Sequence, residues 1–276
     1  MWRDSYLVGN ELIDNQHKEL FRIVEELVSS LQKETTKTDF KTNLIKTIVF
    51  LKGYVVKHFT EEEEFMQSKG YADLERHITY HVELTQDVLN YERELVETDF
   101  SIPVVKKFLG FVNVWLIQHV AGIDQKYSDD YVPETVVSEN DMDAKIIEVM
   151  ELITGFNMDV AISHDSNKPD NLDLCFTVNL TGSLDNTLGF MFSDLFISEV
   201  FKAMTGMEFE EQDEFVVSAM SEISNVLSGH MVSILSNDSL DVSIKTPTRV
   251  DFDSLPAQSD VTYLKTKIGD MAVLVY

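Results

Sequence analysis

Basic residues are scarce: 22 Lys and Arg stand against 48 Asp and Glu in 276 residues, a formal charge of −26. A surface this negative repels phosphate backbones and anionic headgroups, so nucleic acid and polybasic membrane docking are not expected. Cysteine is nearly missing. The single Cys175 excludes an internal disulfide and points to a reducing compartment. No apolar run approaches the roughly 20 residues that span a bilayer. The opening MWRDSYLVGNELIDNQH is acidic and lacks a signal-peptide core. There is no low-complexity segment, Ser-His-Asp set, phosphate-binding glycine loop or CxxC pair. These absences leave the expectation of a soluble cytoplasmic protein. Its 44% hydrophobic and 25% charged residues are ordinary globular values.

The length suggests two domains. Residues 1–135 carry 15 basic and 24 acidic side chains, a net of −9, and the remainder 7 and 24, a net of −17. The texture changes at the same place. Up to about Tyr127 the periodicity is helical throughout. Leu12, Leu20, Ile23, Leu27 and Leu31 trace one face, Thr47 to Phe65 and His77 to Leu95 read as long helices, and 104–127 gives a fourth, opened by Pro103. Breaks are expected at Lys33–Asp39, Ser68–Asp73 and Glu97–Ile102. Four such helices with short connections form an all-α, up-down antiparallel bundle. The polar, proline-bearing stretch around Ser128–Asp141 reads as the connection, so the expected division is a bundle over 1–130, a linker over 131–141 and a second domain over 142–276.

Beyond the linker the signals alternate. Helices are expected at Ala144–Gly155, Asp194–Thr205 and Glu214–Leu235, with Gly206 as a C-terminal cap. Strands are expected at Leu172–Leu180, Thr187–Phe192, Leu240–Thr246, Val261–Ile268 and Met271–Tyr276. This order predicts an α+β (mixed α/β) fold with long helices and a mainly antiparallel sheet.

Five of the seven histidines lie before residue 120. His17 leads into the first helix. His58 and Glu62 are spaced i, i+4 on the second, as are His77 and His81 on the third, and His119 and Asp124 are spaced i, i+5 on the fourth. Residues four apart share a helix face, so each helix can offer donors to a common interior point. Any one fragment is more often an incidental surface pair. The ordered set of seven is different, because inward-facing imidazoles and carboxylates are expensive unless they bind something. Five imidazoles and two carboxylates without a thiolate suit iron or another borderline divalent ion. Seven ligands are too many for one ion and suit two, bridged by both carboxylates. With a solvent-derived bridging oxygen as well, one ion has six ligands and the other five. The resulting open position suits a small ligand such as O₂.

The stretches GNELIDNQHKELF (9–21), HFTEEEEFM (58–66), GYADLERHITYH (70–81) and WLIQHVAGIDQKY (115–127) resemble those of the bacterial hemerythrins across the whole first domain. The resemblance implies an oxo- or hydroxo-bridged pair of iron ions that binds O₂ reversibly. It implies that His77, His81 and His119 bind the saturated iron and His17 and His58 the open one, with Glu62 and Asp124 bridging. Leu20, Phe59, Trp115, Leu116 and Val120 lie within a turn of these positions and are the expected apolar wall of an O₂ pocket, though each on its own reads equally well as bundle core. Glu61, Glu63 and Glu64 are expected on the solvated face of their helix.

In the second domain the informative stretch is SAMSEISNVLSG (218–229), where Glu222 and Asn225 project from one helix face. Val216, Val217, Met220, Ile223, Val226 and Leu227 occupy the other faces, which leaves the Glu–Asn edge as the exposed strip. With VFKAMTGMEFEEQDEF before it and KTPTRV after it, this strip resembles the CheC/CheX/FliY chemotaxis phosphatases, most closely CheX, over roughly 142–276. A Ser/Asp-x-x-x-Glu-x-x-Asn signature occurs once here, as in CheX. The resemblance implies catalysis by Glu222 and Asn225 on a phosphorylated CheY-like response regulator, with Mg²⁺ only on that partner, and a homodimer through this domain. No acidic residue or histidine stands at a useful sequence spacing from His164 or His230, which read as structural or exposed, and Cys175 reads as a buried small residue.

Together these readings give an oxygen- or redox-sensing di-iron protein whose second domain is a protein-aspartyl-phosphate phosphatase. The alternative is an O₂-binding or storage protein whose second domain serves only for dimerisation or docking.

Overall fold

The computed structural model describes all residues except Met1, 33–36, 129–141, 156–159, 165–171, 207, 209–211, 237–241 and 257–259. The chain divides into two compact units, Met1–Pro133 and Glu134–Tyr276. The linker expected over 131–141 lies outside the described residues.

In the first unit α1 (Glu11–Gln32) is opened by Asn10, whose side-chain oxygen accepts from the backbone N–H of Leu12 and Ile13 at 3.0 and 3.3 Å. Its inward stripe runs through Ile13, His17, Leu20, Val24, Leu27 and Val28, all buried. Leu12, expected on that face, is instead 53% exposed, because it stands about 100° around the axis from Ile13. α2 (Lys37–Lys69) is the longest element, and α3 (Leu74–Glu97) follows after a short turn at Gly70. α4 (Ile102–Gln118) has Ser101 at its N-cap and Pro103 in its first turn, where a missing N–H costs nothing. Contacts join α1 to α2, α2 to α3, α3 to α4 and α4 back to α1, closing the antiparallel ring.

The fourth segment is not the single helix expected over 104–127. After Gln118 it widens into a π-helical turn, His119–Ile123, and then tightens into a 3₁₀ turn, Asp124–Tyr127. The backbone N–H of Asp124 donates to the carbonyl of His119, five residues back. A π turn of this kind brings i and i+5 onto one face, which explains the spacing of that His–Asp pair.

Among its described residues the second unit contains α5 (Met142–Thr154), α6 (Asp194–Thr205) and α7 (Glu214–Ser236) with seven strands: β1 (Ala161–His164), β2 (Leu174–Gly182), β3 (Thr187–Phe192), β4 (Val242–Ile244), β5 (Thr248–Val250), β6 (Asp260–Thr266) and β7 (Gly269–Val275). All pairings are antiparallel, in the order β1-β6-β7-β3-β2-β4, with β5 also on β2. The short β1 and β5 were not foreseen; neither has the length to show an alternating pattern. One face of β2 buries Leu174, Phe176, Val178 and Leu180. The helices pack on one another, with α7 against β2 and α6 against β7. On the opposite face Cys175, Met191, Ala272 and Leu274 join Leu172, Val261 and Leu255 in a second apolar cluster. Cys175 is thus the buried small residue expected. Gly206 ends α6 at φ 72°, the left-handed cap predicted for it. Among the described residues no helix is long and apolar enough to cross a membrane.

Gly269 opens β7 at φ +112°, and a Cβ there would lie 2.3 Å from the backbone nitrogen of Phe196, near the start of α6. Gly269→Ala is therefore expected to destabilise the second unit by about 3 kcal/mol or more, combining a strained dihedral with a backbone clash. Chemical denaturation of the full chain checks this.

Candidate functional site

The four helices deliver all seven predicted donors to one interior volume. His17, His58, Glu62, His77, His81, His119 and Asp124 are each no more than 3% exposed. Two groupings share Glu62: His77, His81 and His119 on one side, His17 and His58 on the other. In the first, the Nε2 of His81 lies 3.2 Å from that of His77 and 3.1 Å from that of His119. Three ring nitrogens cannot satisfy one another at such distances, since each proton serves only one contact. Donors about 2.1 Å from a shared ion and at right angles stand about 3.0 Å apart, which is the spacing seen.

The carboxylates face both groupings. Asp124 sets Oδ1 at 3.2 Å from His119 and 3.5 Å from His77, and Oδ2 at 3.3 Å from His17. Glu62 sets Oε2 at 3.1, 3.5 and 3.9 Å from His81, His77 and His58, and Oε1 at 3.4 Å from His17. Glu62 Oε2, both Asp124 oxygens and His17 Nε2 are buried without a hydrogen-bond partner. Orphaned acceptors of this kind are rare and costly. A cation among them would satisfy all of them at once.

Electrostatics agree. Burial pushes the His58 imidazolium down to about 3 and that of His119 well below its usual value, so both rings present neutral lone pairs. Burial, reinforced by the charge of Glu62, raises Asp124 well above the ordinary carboxylate range. Two carboxylates this close do not both ionise comfortably without a positive charge between them.

The supporting contacts were largely missed from sequence. Glu63, expected on the solvated face, instead bonds the Nδ1 of His81 at 2.8 Å. Glu61 is bonded by the amide of Gln16, whose carbonyl oxygen lies 3.0 Å from the Nδ1 of His58. Of the three acids only Glu64 is fully exposed. The tendency of a ligating histidine to donate its second N–H to a carboxylate was the signal available in the run Glu61–Glu64. Tyr127 donates its hydroxyl to Glu62 Oε1, and burial together with the two carboxylates holds that phenol protonated. Phe59 stacks on His81 at 3.6 Å and Trp115 on His119 at 4.3 Å between ring centroids. The five residues expected to wall a ligand pocket, Leu20, Phe59, Trp115, Leu116 and Val120, all line one apolar cavity of about 100 Å³ that His58 and His119 also reach.

On α7, Glu222 and Asn225 lie on the outward side, half-buried together with Ser218 and Gly229. Val217 and Val226, expected among the inward residues, share this half-exposed side. The buried side is made by Phe215, Val216, Ala219, Met220, Ile223, Leu227 and Met231 with Ser224 and Ser228. Those two serines return their hydroxyls to the carbonyls of Met220 and Ser224, at 2.9 and 2.8 Å, which satisfies them inside the helix layer. His230 is half-buried on α7, and the side chain of His164 lies outside the described residues.

The geometry so far defines a metal-binding four-helix bundle joined to an α+β unit. Residues 8–129 match the family described as "Hemerythrin HHE cation binding domain", and residues 174–264 match "Chemotaxis phosphatase CheX". A Bacteriohemerythrin of Clostridium acetobutylicum is 30% identical over 129 residues, covering 47% of this chain and 98% of its own. A Bacteriohemerythrin of Methylococcus capsulatus is 31% identical over 114 residues, covering 41% and 82%. Among solved structures, the chemotaxis protein CheX from Desulfovibrio desulfuricans is similar at 19% identity and a TM-score of 0.42, covering 49% of this chain and 95% of that one. The CheX–CheY–BeF₃–Mg²⁺ complex from Borrelia burgdorferi is similar at 15% identity and a TM-score of 0.40, covering 50% and 93%. The chain belongs to the hemerythrin family through its first unit, and part of its second unit, residues 174–264, matches the CheX model.

Glu63→Ala is expected to weaken metal binding by about 10- to 100-fold through loss of the His81 anchor, whereas Glu64→Ala leaves it unchanged; competition against a chelator measures both. Stripping the metal altogether exposes the mutual repulsion of the buried donors. At free metal about 100-fold above its Kd the lost stabilisation is about 2.7 kcal/mol. The bundle's unfolding transition should then fall by roughly 10 °C in calorimetry.

Proposed function

We propose that the bundle holds two iron ions and senses O₂ or redox state, and that the CheX domain is a phosphatase for a phospho-aspartyl CheY-like response regulator in chemotaxis or two-component signalling. The observation that supports the first part is the two-sided donor set: three imidazoles on one side, two on the other, and carboxylates with oxygens toward both. In this reading His77, His81 and His119 would hold one iron and His17 and His58 the other, with Glu62 and Asp124 as ligands available to both. A bound iron pair supplies the electrons for reversible O₂ binding. The chain's own part is to keep the His58 and His119 rings neutral and the whole set oriented and dry. Glu63 and Gln16 fix the rings of His81 and His58, the Tyr127 hydroxyl fixes Glu62, and Leu20, Phe59, Trp115, Leu116 and Val120 exclude water from the cavity.

An aspartyl phosphate is an activated acyl phosphate already held beside Mg²⁺ in its own receiver domain. An enzyme acting on it need add only a positioned water. The Asn225 carboxamide can accept from and donate to that water, as Gln does in GTPases. In this reading Glu222, one turn earlier on the same side of α7, would pair with a lysine of the regulator. The net charge of −17 over residues 136–276 favours encounter with such a lysine-bearing surface. Regulation by the bundle requires that the iron's ligand state favour one arrangement of the protein over another.

The test is the rate at which the protein dephosphorylates a phosphorylated CheY-like regulator from the same cell, measured anaerobically and in air. Asn225→Ala should lose roughly 100-fold, the cost of a misplaced reactant, and oxygen should shift the wild-type rate. Activity indifferent to oxygen would sink the sensor reading. No activity on any regulator would leave an O₂-binding protein with a docking domain.

A further inference from the structure

The bundle carries apolar side chains on the outside of two neighbouring helices. Of the thirteen exposed large hydrophobic residues among the described ones, seven lie on α2 and α3. Val49 and Val56 on α2 are each 64% exposed, and Val82, Leu89 and Val96 on α3 are 61%, 41% and 61% exposed. Within each helix they stand at seven-residue steps, the interval that keeps a narrow seam turned toward a facing helix. Val56 and Leu89 border the same cavity, so the two seams lie side by side. Gly53 falls between Val49 and Val56 on the α2 seam; it is exposed, and a Cβ there would meet nothing within 4 Å. A glycine inside a helix is destabilising relative to alanine, and no described neighbour requires this one. It suits the close approach of a backbone from outside.

Charge says what approaches. At −26, two copies of the protein repel unless the faces that touch differ in sign. From Lys41 to Thr60 α2 carries four lysines and no acid, whereas from Glu83 to Glu97 α3 carries five acids and one arginine. The two helices keep one register: Glu63 bonds His81 at 2.8 Å, and eleven residues on along both helices Lys52 bonds Glu92 at 2.6 Å. That register sets Val49 level with Val96, Val56 with Leu89, Lys46 with Glu97 and Lys57 with Asp87, each to within one residue, about 1.5 Å of rise. A two-fold axis parallel to the helices leaves heights unchanged and lays α2 of one copy on α3 of the other. Each seam then meets the other seam, and each of these lysines meets an acid. The 3.8 Å contact of Lys57 with Glu61 of its own helix is long enough to yield. We propose that this face is the interface of a homodimer built on α2 and α3, separate from any contact the second unit makes.

Sedimentation of the full-length protein over a range of concentrations tests this. Val49→Glu with Val56→Glu should weaken one association step on the order of 100-fold or more, the cost of covering unpaired charges. Leu12→Glu, at a residue 53% exposed on α1, should leave that step unchanged. Lys57→Glu should weaken it roughly tenfold, since the two-fold axis repeats the pair, and adding Asp87→Lys should restore it. Gly53→Leu should raise the melting temperature of the bundle yet weaken association, a combination that a purely structural glycine does not give. An assembly that falls to half its mass rather than to one chain supports the interface equally, the remaining pairing being that of the second unit. Association unchanged by Val49→Glu with Val56→Glu or by Gly53→Leu, or not recovered on adding Asp87→Lys, overturns the dimer. A wild type that sediments as one chain at every concentration overturns it too, and leaves the seam to an acidic partner or to the chain's own second unit.

Discussion

Everything in the first unit answers to one electrostatic problem: five imidazoles and two carboxylates, all out of water, aimed at one another within 3.1–3.9 Å. No arrangement of protons among them is comfortable. The rings of His58 and His119 are held neutral by burial, and Asp124 is pushed toward holding a proton by burial and by Glu62. A bundle that did not bind cations would shed such residues for leucines, since a buried polar cluster left half satisfied is worse than an apolar core. The metal is thus part of the folding problem as well as the chemistry, and the four helices are as much a cage for charge as a hydrophobic core.

The ligand positions were legible because a helix converts spacing into direction. His58/Glu62 and His77/His81 at four-residue intervals point one way with no tertiary information, and the sequence order of donors alone assigns one group to each helix. The outer contacts were less legible. Glu63 follows Glu62 directly, about 100° around the axis, and nothing local distinguishes it from Glu64; only the approach of α3 brings His81 within 2.8 Å of it. Leu12 and Ile13 posed a similar problem, since two adjacent apolar residues at a helix start fit two stripes, and the choice fell to whichever continued through His17 and Leu20.

In the second unit the long helices and the paired β2–β3 and β6–β7 stood out by pattern. Asp194–Thr205 agrees with expectation at both ends, because Ser193 accepts from the Phe196 N–H at one and Gly206 turns left-handed at the other. The short β1 and β5 are held by the sheet rather than by their own sequence, whereas β4 falls within the strand expected over Leu240–Thr246. β4 and β5 both attach to β2, at opposite ends of it, Leu180–Gly182 and Cys175–Thr177. The Glu222–Asn225 side of α7 is only half-buried because valines flank it. That strip is an apolar surface carrying Ser218, Glu222 and Asn225, a composition suited to excluding water were it covered.

The widened turn at His119–Ile123 amounts to an insertion of one residue into a regular helix. Such a bulge works as a phase shifter. Upstream of it, α4 can keep Phe108, Val112 and Leu116 in step with the core; downstream, the chain restarts about 100° rotated, with Asp124 and Tyr127 turned to Glu62. Packing and ligation are thereby released from sharing one helical phase. Sequence drift in the upper part of α4 can proceed on packing terms alone, while a deletion as small as Gly122 would swing the Asp124 carboxylate away from the buried imidazoles.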